Sequence, residues 1–368
     1  MIKPQRLFNF FKKKKIDFFT GVPDSILKEL SPILEKKNNH VIVPNEGSAV
    51  GIASGYFLST RKIPCVYLQN SGLGNAINPL SSISHSKVYS IPMLLLIGWR
   101  GSPGLKDEPQ HEVKGKITKK LLNNLNIKYC ELSKKTDFVR LKKLIDYSKL
   151  KMLPVACLIK KGSLYNKNIR KKKISLKGRG IKRAIFIEKL LDSINKDTKI
   201  ISSTGYISRE LHQIRKKKQI NKGKDFYMVG GMGHSSSVAL GFSLKSARKQ
   251  VVCLDGDGAA LMHLGAMANI GNYGKHNLKH IILNNNSHES VGGQKTNMEK
   301  VNLKKISLGL GYTRYYCVNQ VKKINLILKT FFQEKGPSLL EVKIKEGSIS
   351  ELKRPKDFLS IKKIFMSK

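Results

Sequence analysis

Apolar runs of strand length, each followed by a longer polar or amphipathic stretch, recur from one end of the chain to the other. In the first half they are Val41–Pro44, Cys65–Gln69, Met93–Ile97 and Val155–Ile159, with Phe18 and Phe19 leading into a turn at Gly21-Val22-Pro23-Asp24-Ser25. Pro4–Phe11 reads as an amphipathic helix, and a second helix is expected after Asp24 or Ser25, either of which can cap it. Apolar strands separated by helix-length segments predict a doubly wound parallel sheet. Stretch 166–182 is basic, contains glycine, and reads as a linker. From Arg183 the alternation restarts, with a helix at Ile185–Ile194 and strands at Lys199–Ser202 and Asp225–Val229. Further strands end at Gly256 and Asn284, and a final one, Ser338–Ile344, precedes a short tail. The expectation is an α/β protein with two doubly wound parallel-sheet domains, 1–165 and 183–368, and no middle domain.

Two local patterns add chemistry to this frame. Gly256-Asp257-Gly258 closes one apolar strand, and Asn284-Asn285 closes another 27 residues later. That arrangement is a βαβ unit with a carboxylate and an amide at the carboxyl ends of neighbouring strands, where open α/β sheets bind ligands. Both are hard oxygen donors suited to Mg2+ that also carries phosphate oxygens. Gly258 and Ala259 open the next helix, so their N–H groups can face an anion. Thr204, Gly205 and Gly233-His234-Ser235 also follow strands and are expected to complete a phosphate cradle, although Ser235–Ser237 fit helix capping equally well. The second pattern is Glu46, which sits between a strand and a helix of small residues. Its bland alternative is a helix N-cap.

Composition narrows the function classes. The chain has 368 residues, 40% of them hydrophobic, which supports buried cores. No apolar run is long enough to span a bilayer, and the N-terminus does not read as a secretory signal. Five cysteines are scattered without a CxxC pair, as expected in a reducing, cytoplasmic setting. The net charge of +44 invites a nucleic-acid reading. However, the runs Lys12–Lys15, Lys171–Lys173 and Lys216–Lys218 lack interleaved aromatics and read as solvated faces. No nucleic-acid or membrane partner is expected, while the positive field would draw in an anionic substrate.

The Gly-Asp-Gly and Asn-Asn motif, with Glu46 about two hundred residues before it, resembles the thiamine-diphosphate-dependent decarboxylase family. The match narrows through Gly21–Ser25, Gln69–Asn75, Trp99–Gly101, Asp107–His111, His288–Gln294 and the tail through Pro355. These segments are similar to the branch that acts on phosphonopyruvate and sulfopyruvate, over essentially the whole chain.

The resemblance implies thiamine diphosphate and Mg2+ as cofactors, a pyrimidine-binding first domain and a diphosphate- and Mg2+-binding second domain. It assigns Mg2+ to Asp257, Asn285 and the Ser287 carbonyl. Asn285 is preferred to Asn284 on the assumption that loop 272–277 carries one extra residue. Thr204, Gly205, Gly233, His234, Ser235, Gly256, Gly258, Ala259 and Asn284 would contact the cofactor, Met232 would support its bent shape, and Glu46 would bond its pyrimidine ring. His111, in a turn, and Ser25 would join Glu46 as catalytic groups. Asp24, Ser25, Gln110, His111, Ser290, Gly292, Gly293, Gln294 and Arg354 would bind an anionic 2-oxo acid. The implied reaction converts 3-phosphonopyruvate to phosphonoacetaldehyde and CO2, a step of phosphonate biosynthesis, with sulfopyruvate as the alternative substrate. The family also implies self-association, with the site completed between subunits. The reading from another class is a basic nucleic-acid-binding protein on an inactive thiamine fold.

Overall fold

A computed structural model describes residues 1–133, 137–165, 180–218, 225–246 and 248–367. The chain divides into two compact units, Met1–Lys171 with Val291–Gln294, and Lys172–Ser290 with Lys295–Lys368. Each unit is built on a six-stranded, wholly parallel sheet. No middle domain is present among the described residues. Most of the expected linker, including the Lys171–Lys173 run, lies outside them.

The first sheet comprises β1 (Phe19–Gly21), β2 (His40–Ile42), β3 (Cys65–Gln69), β4 (Leu94–Trp99), β5 (Lys128–Leu132) and β6 (Val155–Lys160). Their order across the sheet is β2-β1-β3-β4-β6-β5. The chain therefore reverses its direction of travel between β1 and β3. The central strands β3, β4 and β6 are buried almost throughout, which is why they read as continuous apolar runs. The N-terminal helix, Pro4–Lys13, buries Leu7 and Phe11 against one face of this sheet, alongside Phe19 and Leu94. The helix expected after Asp24 is largely replaced by successive turns, and only Ser31–Leu34 is α-helical. Asp24 still acts as a cap, because its Oδ2 accepts from the Ile26 and Leu27 N–H groups at 3.0 and 3.1 Å. Pro32 sits in the first turn of the short helix that follows, a position where its missing N–H costs nothing.

The second sheet comprises β7 (Lys199–Ser202), β8 (Asp225–Tyr227), β9 (Val251–Gly256), β10 (Leu278–Asn284), β11 (Arg314–Val318) and β12 (Ser338–Lys343). Its order is β11-β12-β10-β9-β7-β8, with the same reversal between β7 and β9. Alternate residues of β9 and β10 feed two cores. Val252, Leu254, Ile281 and Leu283 face helices 183–193 and 324–333, whereas Val251, Cys253, Leu278 and Ile282 face helices 235–244 and 266–273. The connection from Asp257 to β10 holds two short helices, Asp257–Met262 and Ala266–Tyr273, in place of the single one expected.

β5 and β11 are further elements that the apolar pattern missed. Both edge strands are only partly buried, so neither forms an apolar run. The tail is more than an extension, because its helix Phe358–Met366 packs Phe365 against Phe226 and Phe242. Two of the lysine runs end helices at Lys13 and Lys218, where positive charge complements the helix dipole. No described helix is long and apolar enough to cross a membrane.

Candidate active site

The reversal point of the second sheet opens into a pocket. Segment 203–207 after β7, segment 256–259 after β9 and segment 285–290 after β10 converge there. This is the crevice in which an open α/β sheet presents its loops and helix N-termini to a ligand. Asp257, only 4% exposed, starts its helix at the pocket wall. Burial raises its carboxyl to about 6, even though Thr296 Oγ1 donates to Oδ2 at 2.6 Å. A cation beside this buried carboxyl would offset the cost of burying its charge.

The structure separates the two adjacent asparagines. Asn284 ends β10 fully buried, and its amide donates at 2.6 Å to Glu341 on β12. It is not among the residues that line the pocket, and its bond to Glu341 ties β10 to β12. Asn285 lies one residue on, where the alternation of a strand turns the next side chain the other way. It lines the pocket with Asp257 and Ser287. Its amide donates to Glu289 at 3.0 Å, and its Oδ1 accepts from the Ser287 N–H at 3.1 Å. The donor set fits a hard cation carrying a diphosphate: one carboxylate, one amide, and a loop whose Ser287 and Asn286 side-chain oxygens have no partner among the described residues.

Thr204, Gly205, Met232, Gly256, Gly258, Ala259 and Ser290 line the same pocket. Gly233, His234 and Ser235 do not. Gly233 takes φ 85° beside the His263 ring, which stacks on His234, and Ser235 is buried at the start of helix 235–244. Gly292 and Gly293 both take positive φ, and the Gln294 amide lies over Gly292. Arg354 is partly exposed in an irregular stretch before the tail helix.

Several pocket residues escaped the sequence reading. The His288 ring covers Gly258, where a Cβ would come within 2.9 Å of it, and burial lowers its pKa to about 4, leaving it neutral. Arg183 is 3% exposed and ion-pairs with Glu210 and Glu289. Glu289 in turn receives the Asn285 amide. No local signal marks Arg183 or Thr296, because their partners lie 27 to 106 residues away.

In the first unit, Glu46 is the first residue of helix Glu46–Thr60, but Asn45 is its cap, accepting from the Gly47 N–H at 2.8 Å. That removes the N-cap alternative for Glu46. Its carboxyl is 5% exposed and receives the Asn75 amide at 2.7 Å. Burial raises its pKa despite that bond. Gly72 makes room for it, since a Cβ at that position would overlap the carboxylate.

A second cluster gathers after β1 and β4. Asp24 is fully buried against Gly98, and burial lifts it to about 6 against the pull of Arg100. Arg100 donates to Ser25 Oγ at 3.0 Å and ion-pairs with Asp107. Burial opposes the charge of Asp107, but Arg100 and the N–H groups of Gly101 and Glu108 outweigh it and hold the carboxyl well below its usual range. Gln110 and His111 belong to the first turn of helix Pro109–Asn124 rather than to a free turn. The His111 carbonyl abuts Gly101, which ties this helix to the end of β4.

Comparison with known proteins agrees with this geometry. Residues 4–121 match the thiamine pyrophosphate enzyme N-terminal TPP binding domain, and residues 203–342 match the C-terminal TPP binding domain of the same enzymes. The chain is 34% identical over 353 residues to a phosphonopyruvate decarboxylase of Streptomyces viridochromogenes, covering 91% of this chain and 87% of that protein. It is 33% identical over 353 residues to one of Streptomyces hygroscopicus, covering 91% and 86%. A sulfopyruvate decarboxylase of Methanosarcina acetivorans is 25% identical over 391 residues, covering 98% of each. With both domains matched in order and the pocket at the reversal point of the second sheet, the chain belongs to the thiamine pyrophosphate enzymes, in the family of the phosphonopyruvate decarboxylases.

Proposed function

We propose that this chain is a thiamine-diphosphate-dependent 2-oxo acid decarboxylase that converts 3-phosphonopyruvate to phosphonoacetaldehyde and CO2. The observation that carries the reading is the pocket in which buried Asp257 and half-buried Asn285 converge beside the N–H groups of Gly258 and Ala259. In this reading residues 1–165 form the pyrimidine-binding domain and 183–368 the diphosphate- and Mg2+-binding domain. Asp257, Asn285 and the Ser287 carbonyl hold Mg2+, while Thr204, Gly205 and the helix start at Gly258 receive the diphosphate. The cofactor supplies the electron sink that loss of CO2 from a 2-oxo acid requires.

The chain's own residues then bind, orient and move protons. Glu46 bonds the pyrimidine ring, and burial raises the affinity of its carboxyl for the proton it shares there. Ser25, shortly after β1, and His111 handle protons beside the reacting carbon, while Asp24 and Gln110 contact the substrate. Arg100 and Asp107 hold Ser25 and the Gln110–His111 turn in place. Ser290, Gly292, Gly293 and Gln294 offer donors to a tetrahedral anion, and Arg354 adds positive charge. The reading includes self-association, with Glu46 of one copy completing the site of another.

The deciding experiment offers phosphonopyruvate and sulfopyruvate in parallel to purified protein with thiamine diphosphate and Mg2+, and measures aldehyde. Phosphonoacetaldehyde should form with the higher kcat/KM. A preference for sulfopyruvate would overturn the substrate assignment while leaving the cofactor reading intact. Over nearly the whole chain, identity is 33–34% to the two phosphonopyruvate decarboxylases and 25% to the sulfopyruvate decarboxylase of Methanosarcina acetivorans, which supports the phosphonate.

A further inference from the structure

The second sheet carries a cluster of chemistry-bearing groups that the thiamine site does not use. Cys253 and Asp255 lie two positions apart on β9, hence on one face of the sheet. The parallel register places His280 of β10 directly beside Cys253. The Cys253 Sγ, a carboxylate oxygen of Asp255 and a ring nitrogen of His280 all lie within 4.8 Å of one another, and all three residues are buried.

Their hydrogen bonding is incomplete in a specific way. His280 Nε2 and Asp255 Oδ2 face each other at 3.6 Å, too far for a hydrogen bond. Neither atom has any other hydrogen-bond partner among the described residues. A cation bound by both atoms would supply the partner that each lacks. Two ligands about 2.0–2.1 Å from a tetrahedral zinc stand about 3.3 Å apart, close to the observed separation.

The surroundings agree. His280 Nδ1 is 2.8 Å from the Tyr312 hydroxyl, an outer hydrogen bond that fixes the ring and leaves Nε2 turned to the cluster. Asp255 Oδ1 accepts from the Gly256 N–H at 2.9 Å, which leaves Oδ2 as the inward oxygen. Ser235, buried at the start of the helix packed on β9, adjoins the Cys253 thiol and offers a fourth oxygen. One thiolate, one carboxylate and a neutral imidazole balance a divalent cation, so the filled site would carry no net charge into the core.

We propose that Cys253, Asp255 and His280 form a structural site for a thiolate-preferring divalent cation of the zinc class. It is distinct from the Mg2+ site proposed at Asp257, because a hard cation such as Mg2+ does not select a thiolate. By clamping β9 to β10 it would brace the two strands from whose ends Asp257 and Asn285 emerge.

The test uses the full chain produced in minimal medium supplemented with cobalt(II), a spectroscopically visible stand-in for zinc. The expected result is about one cobalt per chain with thiolate-to-cobalt charge-transfer absorption. Both should fall by about tenfold or more in Cys253→Ser and in His280→Ala. Asp257→Ala should keep the absorption, which separates this site from the Mg2+ site. Circular dichroism reports whether each variant folds. If a variant does not fold, the wild-type spectrum still decides the question. Folded wild-type protein without the absorption overturns the proposal, as does absorption undiminished in folded Cys253→Ser.

Discussion

Asn75 donates its side-chain amide to the Glu46 carboxylate at 2.7 Å, and that carboxylate is nonetheless pushed towards its protonated form because burial outweighs the bond. The pair holds a carboxyl group in one orientation while burial strengthens its hold on a proton, as suits an acid–base group. Replacing Glu46 with Gln should keep cofactor binding, measured by calorimetry, and slow turnover by ~10²–10⁴-fold. Wild-type turnover in Glu46→Gln would remove Glu46 from the mechanism.

Gly72 supplies the space in which that carboxylate sits. Its φ of −83° is open to any residue, so Gly72→Ala should fold and act only by displacing Glu46. A displacement of about 1 Å costs on the order of a hundredfold in rate. Gly74, with nothing near its missing Cβ, provides the control, and Gly74→Ala should retain activity. Equal rates for both variants would show that the Glu46 position is not critical.

Removing the carboxylate of Asp257 should abolish activity through loss of cofactor. Asp257→Ala would leave the cation without its only carboxylate in the proposed ligand set, and added Mg2+ and thiamine diphosphate should rescue it only in part. Tight cofactor binding by this variant in calorimetry would move the metal site elsewhere.

The glycine turn before Gln294 tests how the anion is held. Gln294→Ala should raise KM for phosphonopyruvate far more than for pyruvate, since pyruvate lacks the group being bound. Loss of one charge-assisted hydrogen bond is worth about 1.5–3 kcal/mol, or roughly ten- to a hundredfold. Equal effects on both substrates would shift the phosphonate contact to the Asp107–His111 segment.

Asp24 makes a prediction about pH in the cofactor-free protein. Burial lifts its folded pKa to about 6, above the 3.8 of an unperturbed aspartate. The folded state therefore favours the protonated group, and that stabilisation is present at about pH 4 and lost as pH rises through about 6. Asp24→Asn, which cannot ionise, should gain on the wild type over that interval by on the order of 3 kcal/mol. Thermal melts of both proteins across pH 4 to 7 would show the gap widening. A gap that stays constant would mean that Asp24 is charged in the folded state throughout.

The local pattern of residues determined a good deal of this protein. β3 falls on the stretch marked by its apolar run, because a strand buried almost throughout has few polar positions to blur it. The Gly256-Asp257-Gly258 turn and the Asn284-Asn285 pair were legible for a similar reason, since a strand end, a tight turn and a helix start are all encoded within a few residues. The edge strands β5 and β11 were not legible, because partial burial leaves them without an apolar signature.

Only the tertiary structure decided which side chains meet. Asn284 and Asn285 are equivalent as letters, and the pleat of β10 together with Glu341 on β12 turns the first away from the pocket and leaves the second in it. Thr296 reaches Asp257 across 39 residues and Asn75 reaches Glu46 across 29. Cys253 meets His280 through the register of two parallel strands. Such meetings depend on sheet order and register, which are set by the burial of whole strands. Local periodicity carries the face a residue occupies within its own element, and no information about the partner that element will bring to it.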